Sequence, residues 1–272
     1  MRLLLTLLGI SLLWSLPFLT PKLAQCEPLY TQVGTDPTFA EIMSKGMLKQ
    51  GEKSTVGVTG SIIRINKRLV DVGPDAHHPI ARDILLHTLG NSAIKRKDFS
   101  KWSRWYQEDG NVQIFRLFQG ECNERNRRPL AARVETYSGL HWQNGTWHEW
   151  SGTYTIIKPG GACIFQLFNN KSIWIVHLNM NFKGDVILDH RPNHIIGPRS
   201  EILATNMIGK PFFVRVRDNG LDYEVYLDQK KVDSGAFPRP QGSKNTFRWG
   251  MYVGEHPINH EMMIFVTGAA FH

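Results

Sequence analysis

The chain has 272 residues, of which 42% are hydrophobic and 21% charged, with three cysteines and a formal net charge of +8. That length holds one large domain or two smaller ones with a substantial core, so no disulfide scaffold is required. Basicity without a clustered basic helix argues against a nucleic-acid reader, and no nucleotide, redox or phosphate-cradling motif is present.

The N-terminus reads as a secretory signal peptide over residues 1–26. Met1-Arg2 gives a basic start, Leu3 to Leu13 and Trp14 to Leu19 an apolar run, and Ala24-Gln25-Cys26 a small or polar cleavage region. Leu23-Ala24-Gln25-Cys26 also approaches a lipoprotein box, but Gln25 stands where a small residue belongs, so lipid anchoring is the weaker alternative. No later segment is long and apolar enough to span a bilayer. The mature protein is therefore expected to be secreted or periplasmic, monomeric and not held in a membrane. Removing the leader takes away Arg2 and Lys22 and no acid, so the net charge falls from +8 to +6. In that compartment a basic protein suits an acidic polysaccharide, a cell wall or a membrane surface. Cys122 and Cys163 are a disulfide candidate in an oxidising environment, and Asn144-Gly145-Thr146 is a glycosylation sequon if the host is eukaryotic.

Residues 27–97 form a small mixed segment of weak periodicity, to which no chemistry is assigned. Asp36-Pro37-Thr38 can open a short helix from Phe39 to Leu48, and Ser61 to Ile65 reads as a strand ahead of the turn-prone Gly73-Pro74-Asp75. His77, His78 and His87 lie in or beside this stretch without a third ligand at metal-site spacing, and surface or capping roles are the commoner fate of such histidines. From about Asp98 the texture changes to short strands rich in aromatic and β-branched residues, separated by Gly, Pro, Asn and Asp turns. The predicted strands are Val112 to Phe118, Ala131 to Tyr137, His148 to Ile157, Ala162 to Phe168, Ile173 to Met180, Val186 to His190, Phe212 to Arg217, Tyr223 to Leu227, Phe247 to Val253 and Met262 to Phe271. Turns at Asp218-Asn219-Gly220 and Asp228-Gln229-Lys230 make Tyr223 to Leu227 the middle of a meander. Residues 98–272 are thus expected to be all-β, a jelly-roll sandwich of two antiparallel sheets.

Period-two alternation sorts the polar residues of these strands onto single faces. Arg133, Glu135 and Tyr137 share one face, against Val134 and Thr136; His177 and Asn179 share another, against Trp174, Val176 and Leu178; Arg215 and Arg217 oppose Val214 and Val216. Any solvated sheet shows such faces. Gln166 is different, because an amide inside Ile164-Phe165-Gln166-Leu167-Phe168 needs partners or a ligand. In Phe247-Arg248-Trp249-Gly250-Met251-Tyr252, Arg248, Gly250 and Tyr252 form one wall, where the glycine gap would let a ligand approach closely.

Arg133-Val134-Glu135, Gln166-Leu167-Phe168 and Phe247 to Tyr252 fall in the order and approximate spacing of three motifs of the jelly-roll polysaccharide lyases, the alginate and glucuronan lyases. Those motifs run Arg-x-Glu, Gln-x-His and aromatic-Lys-Ala-Gly-x-Tyr, and Phe212 to Val232 resembles the hairpin before the last of them. The resemblance covers residues 98–272. It implies a concanavalin-like sandwich that cleaves a polyuronate by β-elimination, with no cofactor and at most a structural calcium. On that resemblance, Gln166 and Arg133 neutralise the uronate carboxylate, Glu135 orients Arg133, and Tyr252 protonates the departing oxygen. Arg248 stands where Lys is usual and would grip a neighbouring uronate. Asn179 and Trp142 complete the expected binding surface, with Trp147 and Trp150 as further candidates for stacking on sugar rings beside the commoner role of sheet packing.

Two residues depart from the family pattern. Phe168 occupies the usual histidine position, so the base must come from elsewhere: His141 is the first choice, His177 the second, and His148 is also a candidate; without one of them Tyr252 would have to serve as both base and acid, as tyrosine does in some members of the family it resembles. Trp249 replaces Ala and is expected to point into the core. The alternative function is a non-catalytic sandwich that binds acidic polysaccharide. A glycoside hydrolase is a third reading, with Glu135 and Glu149 as its carboxylates, although they share no evident motif.

Overall fold

The computed structural model describes residues 62–65, 68–71, 83–88, 91–102, 105–109, 111–117, 123–125, 128–130, 132–191, 197–253 and 260–272. In chain order its first strands are β1 (Ile62–Ile65), β2 (Arg68–Asp71), β3 (Ile84–Thr88), β4 (Asn91–Lys95), β5 (Tyr106–Asp109), β6 (Val112–Leu117), β7 (Asn123–Arg125), β8 (Arg128–Leu130) and β9 (Arg133–Ser138). Then come β10 (His148–Lys158), β11 (Ala162–Asn169), β12 (Trp174–Met180), β13 (Val186–His190) and β14 (Arg199–Ala204). The last are β15 (Pro211–Asp218), β16 (Asp222–Leu227), β17 (Lys230–Ala236), β18 (Asn245–Tyr252) and β19 (Met262–Phe271). The leader, the expected helix from Phe39 to Leu48, the Gly73-Pro74-Asp75 turn, His77, His78 and Cys122 lie outside the described residues.

Two large antiparallel sheets make the sandwich. One has the order β17-β16-β15-β10-β19-β6-β5, the other β14-β13-β12-β11-β18-β9-β3-β4. Consecutive strands β10 and β11 belong to opposite sheets, the crossing expected of a jelly roll. All ten predicted strands are present, with ends displaced by a few residues at most. The predicted strands do not include β3, which pairs with β9, or the edge strand β4, which pairs with β3. The sandwich therefore begins by Ile84, not at residue 98. Edge strands β14 and β17 were also missed; half or more of their residues are exposed, so neither shows the apolar alternation that marks a half-buried strand.

Alternation fixes which face is core. Burial in β15 alternates at every residue, placing Phe212, Val214 and Val216 inward and Arg215 and Arg217 outward. Trp150, Trp249 and Phe165 meet between the sheets, with ring centroids 4.7 Å apart for Trp150 and Phe165 and 5.7 Å for Trp150 and Trp249. Two hydrogen bonds cross this core: Tyr154 Oη donates to the Ile164 carbonyl at 2.9 Å, and Trp249 Nε1 donates to Gln113 Oε1 at 2.7 Å. Trp249 thus fills the core as expected, and its one polar atom is satisfied there.

The β15–β16 turn carries the buried acid Asp218. Its carboxylate accepts from Arg239, from Trp142 Nε1 at 2.6 Å and from the Gly220 amide at 2.9 Å. The side chains of Arg239 and Asp218 are both fully buried. One carboxylate thereby ties together the β15–β16 turn, the loop before β10 and the loop before β18. Asp218→Ala would leave the guanidinium buried and unpaired, and is expected to lower unfolding free energy by about 3–5 kcal/mol. Urea denaturation checks this; a loss below about 1 kcal/mol would mean that Arg239 finds water or another partner.

Candidate active site

The outward face of the eight-stranded sheet gathers the polar residues of five strands. Across β12, β11, β18 and β9 the register aligns His177 with Gln166, Gln166 with Arg248 and Arg248 with Tyr137. Further along, Gly250 faces Glu135 and Tyr252 faces Arg133, while Tyr252 also pairs with Cys163 and Cys163 with Asn179. A cavity of about 370 Å³ opens on this face, lined by Cys163, His177, Asn179, Ile187, Asp189 and Tyr252 among others.

Glu135 is the floor of the arrangement, with only 2% of its surface exposed. Gln166 Nε2 donates to its Oε1, and Arg133 Nη1 approaches its Oε2 at 3.4 Å. A buried carboxylate is tolerated only when paired and hydrogen-bonded, so Glu135 holds an arginine and an amide in place from strands on either side of β18. The amide retains a second N–H for a ligand. The Arg133 guanidinium lies 4.5 Å over the Tyr252 ring, and that of Arg248 lies 4.6 Å from the Phe168 ring centre and 5.6 Å from that of Tyr137. Arg133 Nε and Arg248 Nε are buried without a hydrogen-bond partner.

Gly250 has a different role from the one expected. Its φ is +126°, and a side chain there would run into the Val134 carbonyl and come within 2.8 Å of Phe115 and 2.9 Å of Glu135 Cα. The space is already filled by the neighbouring strand and the opposite sheet. The glycine therefore serves close packing of β18 on β9 and leaves no gap for a ligand.

Among the described histidines, His177 is the one that lines the cavity. Its Nε2 is buried and unpartnered, and its ring stacks on Trp174 at 4.5 Å and 22°. Burial, reinforced by Arg191 and opposed by Asp189, lowers its pKa to about 4, so the imidazole is neutral across the physiological range. His141 is exposed and adjoins Trp142, which pairs with Asn245 at the opposite end of β18 from Tyr252. Seven residues of strand, roughly 23 Å, separate those ends. His141 is therefore not brought to the cavity. His148 begins β10 in the other sheet, its ring 5.0 Å from Trp142. His87 lies in register with Glu135 and is a groove-face histidine to which the sequence reading gave no role.

The tryptophans also sort differently. Trp142 is 5% exposed, packed 4.5 Å from Phe247 and hydrogen-bonded to Asp218, and Trp150 is fully buried; neither is available to a sugar. Trp147 is exposed but lies under Arg217, 4.8 Å away, beside the opposite sheet. Trp174 was assigned to the core face of β12. A register slip between Leu167 and Phe168 makes Ile175 an extra residue; Ile175 and Val176 are both buried, and Trp174 turns to the His177 side.

Asn179 lines the cavity and donates to Asp189 Oδ2 at 2.8 Å. Cys163 is a free thiol whose Sγ donates to the Phe165 carbonyl at 3.1 Å; burial pushes its pKa well up. Glu149 faces outward from the other sheet, 3.4 Å from Arg217, so it and Glu135 lie on opposite sides of the sandwich and cannot flank one glycosidic bond. Among the described residues no three His, Cys, Asp or Glu side chains form a metal-holding group, and no helix is long and apolar enough to cross a membrane.

A histidine NMR titration checks the buried environment of His177: its ring is expected to remain neutral on acidification until about pH 4. Protonation of that ring near the ordinary histidine value of about 6.5 would contradict the burial described.

No family model matches the chain, and no protein of curated function matches its sequence. Solved structures do match in shape. Alginate lyase A1-II′, a member of polysaccharide lyase family 7, superposes with a TM-score of 0.55 over 70% of this chain and 94% of its own, at 12% identity. Family 7 alginate lyase AlgAT5 gives 0.53 over 70% and 94%, at 14% identity. Alginate lyase PA1167 from Pseudomonas aeruginosa gives 0.50 over 62% and 85%, at 16% identity. A1-II′ has also been solved with a product, GGG, and with a substrate, GGMG. What is shared at these identities is the fold: this chain has the jelly roll of the family 7 alginate lyases.

Proposed function

We propose that the protein is a secreted lyase that cleaves a uronic-acid-containing anionic polysaccharide by β-elimination. The observation that carries this reading is the buried Glu135, which fixes Arg133 and Gln166 beside Tyr252 and the unpartnered His177 Nε2. The C5 proton of a uronate is only weakly acidic. Its removal requires that the carboxylate charge be quenched and the enolate-like anion be met by fixed donors. Arg133 and the free amide N–H of Gln166 supply those donors.

Neutral His177 removes the C5 proton, the electron pair becomes the C4–C5 double bond, and the bond from C4 to the glycosidic oxygen breaks. Tyr252 donates its phenolic proton to that oxygen. The phenolate left behind lies under the Arg133 guanidinium, whose charge stabilises it. Arg248, held over Phe168, is placed to bind an acid group of an adjoining sugar. Arg248 and Phe168 thus form a stacked pair at the motif position where a histidine is usual.

A panel of polyuronates, including alginate and glucuronan, tests the reading. Wild type is expected to release unsaturated product with new ultraviolet absorbance, and Tyr252→Phe to lower kcat at least about 100-fold. His177→Asn should lose comparable activity while His87→Asn retains it; the reverse result would move the base to β3. Binding of acidic polysaccharide with no turnover, unaffected by Tyr252→Phe, would identify a carbohydrate-binding sandwich instead.

A further inference from the structure

We propose that Trp174 and Arg191 form a second anion-binding subsite on the groove face, which takes the acid group, carboxylate or sulfate ester, of a sugar unit flanking the one held by Gln166 and Arg133. The inference rests on the lyase reading for the direction of the polymer across the strands. Its own support is the packing and pairing of Arg191 and Trp174.

Arg191 immediately follows β13, two residues beyond Asp189, and so shares the outward face with Asp189 and Ile187. Its backbone N–H donates to the Ile175 carbonyl at 3.0 Å, which anchors it beside the bulge that turns Trp174 outward. The guanidinium carbon then lies 4.4 Å over the Trp174 ring, and that ring stacks in turn on His177. Both Arg191 and Trp174 remain partly exposed.

Arg191 Nε is buried and has no hydrogen-bond partner, and among the described residues no carboxylate lies within ion-pair distance of the guanidinium. The arginines on the outer face of the opposite sheet differ. Arg215 and Arg217 both approach Glu149, at 3.8 and 3.4 Å, and Arg217 also pairs with Glu224 at 2.9 Å. A guanidinium held over an indole ring is fixed without using its N–H groups, which leaves donors for the hydrogen bonds that a carboxylate or a sulfate accepts. Arg191 is thus a cation whose position is fixed by packing and whose donors are not all used.

Spacing gives the subsite a place in a polymer. Two strand intervals, roughly 10 Å, separate β13 from Gln166 on β11, with His177 between them. Asp189 stands in register with His177 and holds the Asn179 amide, so its negative charge disfavours an acid group over β13 anywhere but at Arg191. An anionic polymer would therefore set acid groups at Gln166 and at Arg191, with a hydroxyl-bearing stretch against Asn179 and Asp189.

The test is equilibrium binding to the full chain carrying Tyr252→Phe, which prevents consumption of the polymer. The ligands are a polyuronate, a sulfated galactan and a neutral glucan. Adding Arg191→Gln or Trp174→Leu is expected to weaken binding of an anionic polymer about tenfold. Arg191→Lys should fall between, since it keeps the charge without the planar fork. A larger loss for polyuronate assigns the subsite to carboxylate, and a larger loss for the sulfated polymer assigns it to sulfate ester. Anionic polymer affinity unchanged by both Arg191 substitutions would overturn the subsite while leaving the lyase reading intact. Failure of every anionic polymer to bind, with or without the Arg191 changes, would remove both.

Discussion

The groove depends on one buried negative charge. The Glu135 carboxylate sits on β9 and reaches Gln166 on β11 across the intervening strand β18. The residue of β18 facing Glu135 is Gly250. A side chain there would meet the Val134 carbonyl and Phe115 of the opposite sheet, so the glycine serves the close packing of the strand that this hydrogen bond spans. A carboxylate removed from water needs partners for both oxygens, and here those partners are an arginine and an amide on the same outward face of the sheet. Satisfying a structural requirement of the sheet thereby orients two groups suited to neutralising a uronate.

The two faces of the sandwich use charge in opposite ways. On the outer side of the seven-stranded sheet, Glu224 binds Arg217, Lys231 and the Tyr226 hydroxyl, and Glu149 approaches Arg215 and Arg217, so cations and anions compensate one another. On the groove side, Arg133, Arg248 and Arg191 each lie against an aromatic ring and each retain a buried, unpartnered Nε. Aromatic rings fix a guanidinium without neutralising it. Three guanidinium groups are thereby held on the groove face, in keeping with the anionic ligand proposed above and with the basic charge of the whole chain.

Much of this was legible in the sequence because β-structure obeys a period of two. Arg133 with Glu135, His177 with Asn179, and Arg248 with Tyr252 could be put on shared faces without knowing which strands pair. Three features broke that rule. The extra residue at Ile175 reversed the direction of Trp174, and a bulge leaves no mark in an apolar run. Trp142 finds its partner Asp218 76 residues away, a long-range hydrogen bond that turns an apparent sugar platform into core. His141 lies close to the Arg133 motif in sequence, yet the pairing of Trp142 with Asn245 carries it to the far end of β18. β3 and β4 escaped for a further reason: both precede the change of texture at Asp98, although they complete the groove sheet.

The central claim is that this face breaks a glycosidic bond by elimination. Mass spectrometry of the oligosaccharides released from a polyuronate tests it most directly, because elimination and hydrolysis cut the same bond but differ by one water in the product. The account predicts fragments carrying an unsaturated end and lighter by one water than the hydrolytic fragments. Fragments at the hydrolytic mass, or an intact polymer that nevertheless stays bound, would contradict it.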